Sequence, residues 1–115
     1  MPFINISTSS KVDDKDKLLK EISILIASLT KKSQKFVMAR LEDESKLFFN
    51  DEGPCCYFQI KSIGSMNSHE MTKPICEFIH EKIGIPIDRI YICFEDINPK
   101  MWGWNGRTFG WFVTL

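Results

Sequence analysis

Apolar and polar positions alternate at the start of the chain. Ile4 and Ile6 fall on one side and Phe3 and Asn5 on the other, which predicts a strand over 2–7. Thr8-Ser9-Ser10 ends the alternation as a polar loop. The period then lengthens. Leu18, Leu19, Ile22, Leu25, Ile26 and Leu29 recur at helical spacing, an amphipathic stripe that runs to about Thr30 with Asp13 or Asp14 as its N-cap. Lys31-Lys32-Ser33-Gln34-Lys35 follows as a polar link, its lysines placed to suit the negative end of the helix dipole.

A second strand is predicted over 36–42, and a small hairpin arm over 46–49, closed by the turn Asn50-Asp51-Glu52-Gly53-Pro54. The next strand spans 55–63 and stops at Gly64. A second helix is predicted from about Ser68 to Lys82, with Met71, Ile75, Phe78, Ile79 and Ile83 inward and Gly84 as its stop. Pro74 inside it implies a late start or kinked first turns. The last long strand covers 89–95. Beyond it, 101–109 reads as short strand pieces and turns carrying two of the three tryptophans.

The order is therefore strand–helix–strand, twice, over 2–42 and 55–95. A helical crossover between strands of one sheet makes each pair parallel. The expected fold class is α/β (α+β): a four-stranded sheet with two helices on one face, forming a single domain over 1–115. The other face is left uncovered, and its apolar content is expected to require a symmetric oligomer as cover.

Composition narrows the function classes. Fifteen basic residues cancel fifteen acidic ones, so no global field recruits nucleic acid or an anionic membrane. The longest apolar run is far below the roughly 20 residues of a membrane helix, and no basic segment with a signal-peptide core opens the chain. Cysteines at 55, 56, 76 and 93 fit neither a disulfide framework nor a CxxC zinc pair. Reduced thiols and a cytoplasmic location are expected, with secretion that needs no signal peptide left open. His69 and His80 share no metal-ligand spacing. No Ser-His-Asp set or nucleotide loop is present either.

What remains is an N-terminal proline, a lysine after the first helix and an aromatic C-terminal third. Pro2-Phe3-Ile4, Lys32, Cys55, Lys61-Ser62-Ile63-Gly64, Asp88-Arg89-Ile90-Tyr91-Ile92 and Trp102-Gly103-Trp104-Asn105-Gly106 with Thr108-Phe109 carry a resemblance. In order and spacing, over about residues 2–110, they resemble the macrophage migration inhibitory factor family of the tautomerase superfamily. The resemblance implies a homotrimer whose sheets form a barrel, with an active site at each subunit boundary.

It further implies keto–enol tautomerisation of phenylpyruvate-like aromatic 2-keto acids and dopachrome-type surrogates, without metal or cofactor. Pro2 matches the catalytic base, Lys32 the lysine that binds the substrate's carboxylate or carbonyl oxygen, and Ile63 a residue whose backbone lines the pocket. Tyr91, Trp104 and Phe109 match aromatic pocket positions, Tyr91 coming from the adjacent subunit. The chemistry is physically sound. A free α-amine titrates near about 7.7–8.0, and burial beside a lysine charge lowers that value toward a free base at neutral pH. With Met1 attached, the Pro2 nitrogen is an amide and has no such basicity.

Several positions depart from the family pattern. Cys93 stands where an asparagine commonly meets the substrate's far end, and a thiol is a weaker donor. Phe36 replaces a rim tyrosine, Trp102 a smaller apolar residue, and Phe58 the second cysteine of a CxxC. The tail 111–115 extends past the usual end, where covering a neighbour's sheet edge is one use for it. Two other functions remain open. One is a cytokine-like interaction protein with a vestigial pocket and an unknown receptor. The other is thiol–disulfide exchange at Cys55 and Cys56, disfavoured by the strain of pairing adjacent cysteines.

Overall fold

The computed structural model describes residues 2–110, so the expectations for Met1 and the tail 111–115 lie outside the described residues. Four strands form one sheet: β1 (Phe3–Thr8), β2 (Met38–Glu42), β3 (Cys56–Ser62) and β4 (Ile90–Asp96), in the spatial order β2-β1-β3-β4. β1 runs parallel to β2 and β3 parallel to β4, while β1 and β3 meet antiparallel at the centre. The two predicted strand–helix–strand units are therefore present. They are joined through their first strands.

Helix α1 (Lys15–Thr30) starts where its capping chemistry says: the Asp14 carboxylate accepts the Lys17 N–H at 3.1 Å, and Asp16 adds negative charge to the first turn. Helix α2 (Ser68–Ile83) is capped by Asn67 and ends at Gly84, whose φ of 81° is the left-handed conformation glycine tolerates. Its start is not delayed. Pro74 sits inside the continuous helix, half-buried, where it removes the one backbone bond that would reach Glu70.

Both helices cover one face of the sheet. Ile22 and Ile26 from α1 and Met71, Ile75 and Ile79 from α2 close over Ile4, Ile6, Phe58 and Ile60 in a single core. Each fully buried side chain of this size is worth about 1.5–3 kcal/mol of transfer free energy. Glu21 and Lys82 tie the helices together at 2.8 Å across the outside.

The opposite face corrects one expectation. It carries Phe3, Asn5, Ser7, Met38, Arg40, Glu42, Tyr57, Gln59, Lys61, Tyr91, Cys93 and Glu95, a mostly polar set. Asn5 is buried there by hydrogen bonding, accepting from Arg40 Nε at 2.7 Å and donating to Ser7 Oγ at 2.9 Å. The case for an apolar cover therefore does not hold for this face as a whole. Its exposed apolar groups sit towards the ends, at Met38 and Tyr91.

Two further boundaries move. The chain forms a short 3₁₀ turn at Gln34–Phe36 before β2, so Phe36 is not part of that strand. The predicted arm over 46–49 forms no hairpin, only an isolated bridge between Phe49 and Asp51. After β4, another 3₁₀ turn (Pro99–Met101) leads into a two-strand hairpin, β5 (Gly103–Trp104) and β6 (Arg107–Thr108). Asn105 and Gly106 join them with φ of 53° and 80°, the two-residue turn whose twist suits a hairpin.

Candidate active site

The strand directions bring five segments to one end of the sheet. Phe3 at the start of β1 pairs with Met38 at the start of β2 and with Lys61 near the end of β3, which in turn pairs with Glu95 near the end of β4. Pro2 lies just beyond this row, buried, its carbonyl accepting the Met38 N–H at 3.0 Å. The chain leaving β4 returns here through Ile97, Met101 and the β5–β6 hairpin.

Pro2 lines a cavity of about 620 Å³ together with Phe36, Met38, Trp102, Trp104 and Phe109, and with Lys35 and Lys61 on its rim. The aromatic wall is ordered: the Phe36 and Trp104 rings meet edge-on at 5.6 Å, and the Trp104 and Phe109 rings lie nearly parallel at 6.1 Å. Such a wall fits a planar, apolar ligand ring.

Lys32 is positioned by the end of α1. Lys31 takes a left-handed φ of 57°, and the Lys32 N–H then closes on the Ala27 carbonyl at 3.0 Å. The lysines of this link therefore follow the helix rather than occupy its last turn. From there the Lys32 ammonium donates to the Ile63 carbonyl at 2.7 Å. Both residues line a second depression that shares Phe36 and Phe109 with the first. An ammonium has three N–H donors, so one holds the backbone and two remain for a ligand. No carboxylate lines either depression among the described residues, although Glu95 sits 3.8 Å from the Lys61 ammonium and partly offsets its charge.

Of the predicted site residues, Pro2, Lys32, Ile63, Trp104 and Phe109 are therefore gathered at one end. Tyr91 and Cys93 are not. Tyr91 pairs with Tyr57 and, through it, with Ser7, at the opposite end of the sheet; Cys93 pairs with Gln59 halfway along. Tyr91 is 63% exposed and rests on Phe49 with ring centroids 4.7 Å apart. Cys93 stands beside the Tyr57 hydroxyl, whose pKa is raised by burial and by its hydrogen bond to that thiol.

Lys35, Lys61, Met38 and Met101 also line the cavity without having been given a site role from the sequence. Period-two alternation from Phe58 already places Lys61 on the open face, opposite Phe3, and was the available signal for it. The adjacent thiols are poorly suited to redox work. Cys55 and Cys56 are buried and unpaired, and burial pushes the Cys56 pKa up to about 12, which suppresses the reactive thiolate. Phe58, at the position of the missing CxxC cysteine, is fully buried in the core. No cluster of three potential metal ligands occurs among the described residues.

Comparison with known proteins bears on the family and the fold. The sequence profile of macrophage migration inhibitory factor matches residues 1–110. The chain is similar to the macrophage migration inhibitory factor of Xenopus tropicalis, with 31% identity covering 95% of this chain and 99% of that one. Among solved structures, a homologue from Prochlorococcus marinus superposes with a TM-score of 0.88 and 42% identity, covering 94% of this chain and 99% of the other. The factor from Trichinella spiralis gives 0.87 and 26%, covering 93% and 99%. The profile match spans both strand–helix–strand units and the hairpin that walls the cavity, and the chain belongs to the macrophage migration inhibitory factor family.

Proposed function

We propose that this protein is a keto–enol tautomerase acting on phenylpyruvate-like aromatic 2-keto acids, with Pro2 as the base once Met1 is removed. The observation that carries the reading is the placement of Pro2 against an aromatic-walled cavity lined by lysines, with Lys32 in the adjoining depression. The Pro2 amine removes a proton from the carbon next to the ketone, the C–H electron pair becomes the enol C=C, and the proton is delivered to the former ketone oxygen. Lys32 donates to the oxygen on which negative charge develops. The rings of Phe36, Trp104 and Phe109 hold the substrate's aromatic end.

The working unit in this reading is a homotrimer. Tyr91 faces solvent at the end away from Pro2, so a place for it at a Pro2 cavity requires another copy.

Intact mass and phenylpyruvate tautomerase rate, measured on one sample, test the reading. Turnover is expected from the form that has lost Met1 and is expected to be abolished in Pro2→Gly. Normal turnover by a Met1-retaining form would overturn it.

A further inference from the structure

The segment 49–54 has almost no regular structure, yet one side chain binds it at four points. Arg89 Nε donates to the Pro54 carbonyl at 2.8 Å, and Arg89 Nη2 reaches the Phe49 and Gly53 carbonyls at 2.8 and 3.1 Å. The same nitrogen meets the Asp51 carboxylate at 3.0 Å. A flat guanidinium with fixed donors suits this task, since several carbonyls are held in one plane and in one relative position.

The clasp continues into an aromatic pair. The Arg89 guanidinium lies over the Phe49 ring, 5.4 Å from its centroid, and Tyr91 meets the same ring with centroids 4.7 Å apart. Arg89 and Tyr91 are two residues apart, Arg89 closing the 3₁₀ turn Ile87–Arg89 and Tyr91 following on β4. Phe49 is thus touched by both Arg89 and Tyr91. The arginine side chain is 17% exposed while Tyr91 is 63% exposed, so the support is half-buried and the supported ring is presented outward.

We infer that Arg89 is a positioning residue: it holds Phe49 behind Tyr91 and so fixes the aromatic wall that one subunit contributes to its neighbour's Pro2 site. This rests on the tautomerase reading above for the destination of Tyr91, whereas the clasp itself rests on the contacts within one chain.

Amide hydrogen exchange and steady-state kinetics with phenylpyruvate, on the full chain and on Arg89→Ala and Arg89→Lys, test both parts. In Arg89→Ala, exchange of peptides covering 49–54 is expected to quicken by about tenfold or more, with the α1 and β1 peptides unchanged. KM is expected to rise about fivefold with kcat within about twofold, because the wall binds rather than reacts. Arg89→Lys, which keeps charge but lacks the flat fork, should recover less than half of the loss. Adding Tyr91→Ala to Arg89→Ala should have little further effect, since the two act through one wall.

Unchanged loop exchange in Arg89→Ala overturns the clasp, whatever the activity. Quickened exchange with unchanged KM, or with a fall confined to kcat, overturns the link to the site. If Arg89→Ala fails to assemble, Phe49→Ala removes the ring and leaves the arginine; the same rise in KM is required of it, and an unchanged KM overturns the link. Loss of the tautomerase reading would show separately, as turnover that survives Pro2→Gly.

Discussion

Lys32 and Ile63 are 31 residues apart in the chain, and the ammonium of one donates to the backbone carbonyl of the other at 2.7 Å. The bond crosses from the end of α1 to the end of β3, so it fixes a long, flexible side chain against the sheet edge. A lysine loses much rotamer freedom when held, and here the backbone contact restrains it before any ligand arrives. The consequence is an ammonium already in place beside the aromatic wall.

Replacing Lys32 by methionine tests that role. The stem is kept and the charge removed, so the depression that Lys32 lines with Phe36 and Phe109 should keep its shape. A hydrogen bond to a charged group contributes about 1.5–3 kcal/mol, which corresponds to a fall in kcat/KM of roughly 10- to 100-fold. If the ammonium acts mainly on the developing negative charge, kcat carries most of the loss. If it only binds the carboxylate, KM does. Turnover within twofold of the parent would show that Lys32 is no part of the site.

The hairpin offers a different handle on the same cavity. Gly106 has a φ of 80°, and a Cβ built there would meet no heavy atom within 4 Å. The cost of Gly106→Ala is thus a backbone cost alone, about 1–2 kcal/mol for a side chain forced into the left-handed region. The turn sets the spacing of Trp104 and Phe109, whose rings lie 6.1 Å apart. Gly106→Ala should therefore raise KM for an aromatic keto acid about two- to tenfold. It should also lower the unfolding midpoint by only the few degrees that this backbone cost implies, because the buried core is untouched. A large fall in the midpoint with an unchanged KM would contradict this.

Much of the scaffold was legible because its signals are local. The stripe from Leu18 to Leu29 and the cap at Asp14 define α1 without any tertiary information. The loop 46–54 was not legible in that way. Its carbonyls are satisfied by Arg89, a partner 35 to 40 residues further on, so turn residues suggested a hairpin that tertiary bonding made unnecessary. The open face failed for another reason. Asn5 and Arg40 alternate with core residues, and the bond between them becomes visible only when β1 is known to lie beside β2. Pro2, Lys32 and Ile63 carry no local pattern that marks them as a set. Family resemblance grouped them, and the strand directions supply the physical reason they meet.

The acid side of the stability curve depends on two carboxylates far from the cavity. Asp43 accepts the Val12 N–H at 3.0 Å and faces Lys15 at 3.6 Å; that backbone bond, more than the lysine, holds its pKa below the ordinary aspartate value. Glu21 is held low by its hydrogen bond to Lys82, and the lysine is raised by the same bond. A depressed carboxylate pKa contributes stability that is complete above its unfolded value and lost as pH falls through the folded one. The raised lysine works at the other end: its contribution is present below its unfolded value and lost only as pH rises through the folded one. Stability should therefore be flat near neutrality and fall below about pH 4. Asp43→Asn keeps an acceptor for Val12 but no longer titrates. Its deficit relative to the parent should be largest near pH 6 and shrink towards about pH 2.5. Urea midpoints at one fixed protein concentration would measure this without interference from subunit dissociation. A deficit that stays constant across that range would mean Asp43 supports the fold through shape alone and its charge contributes nothing.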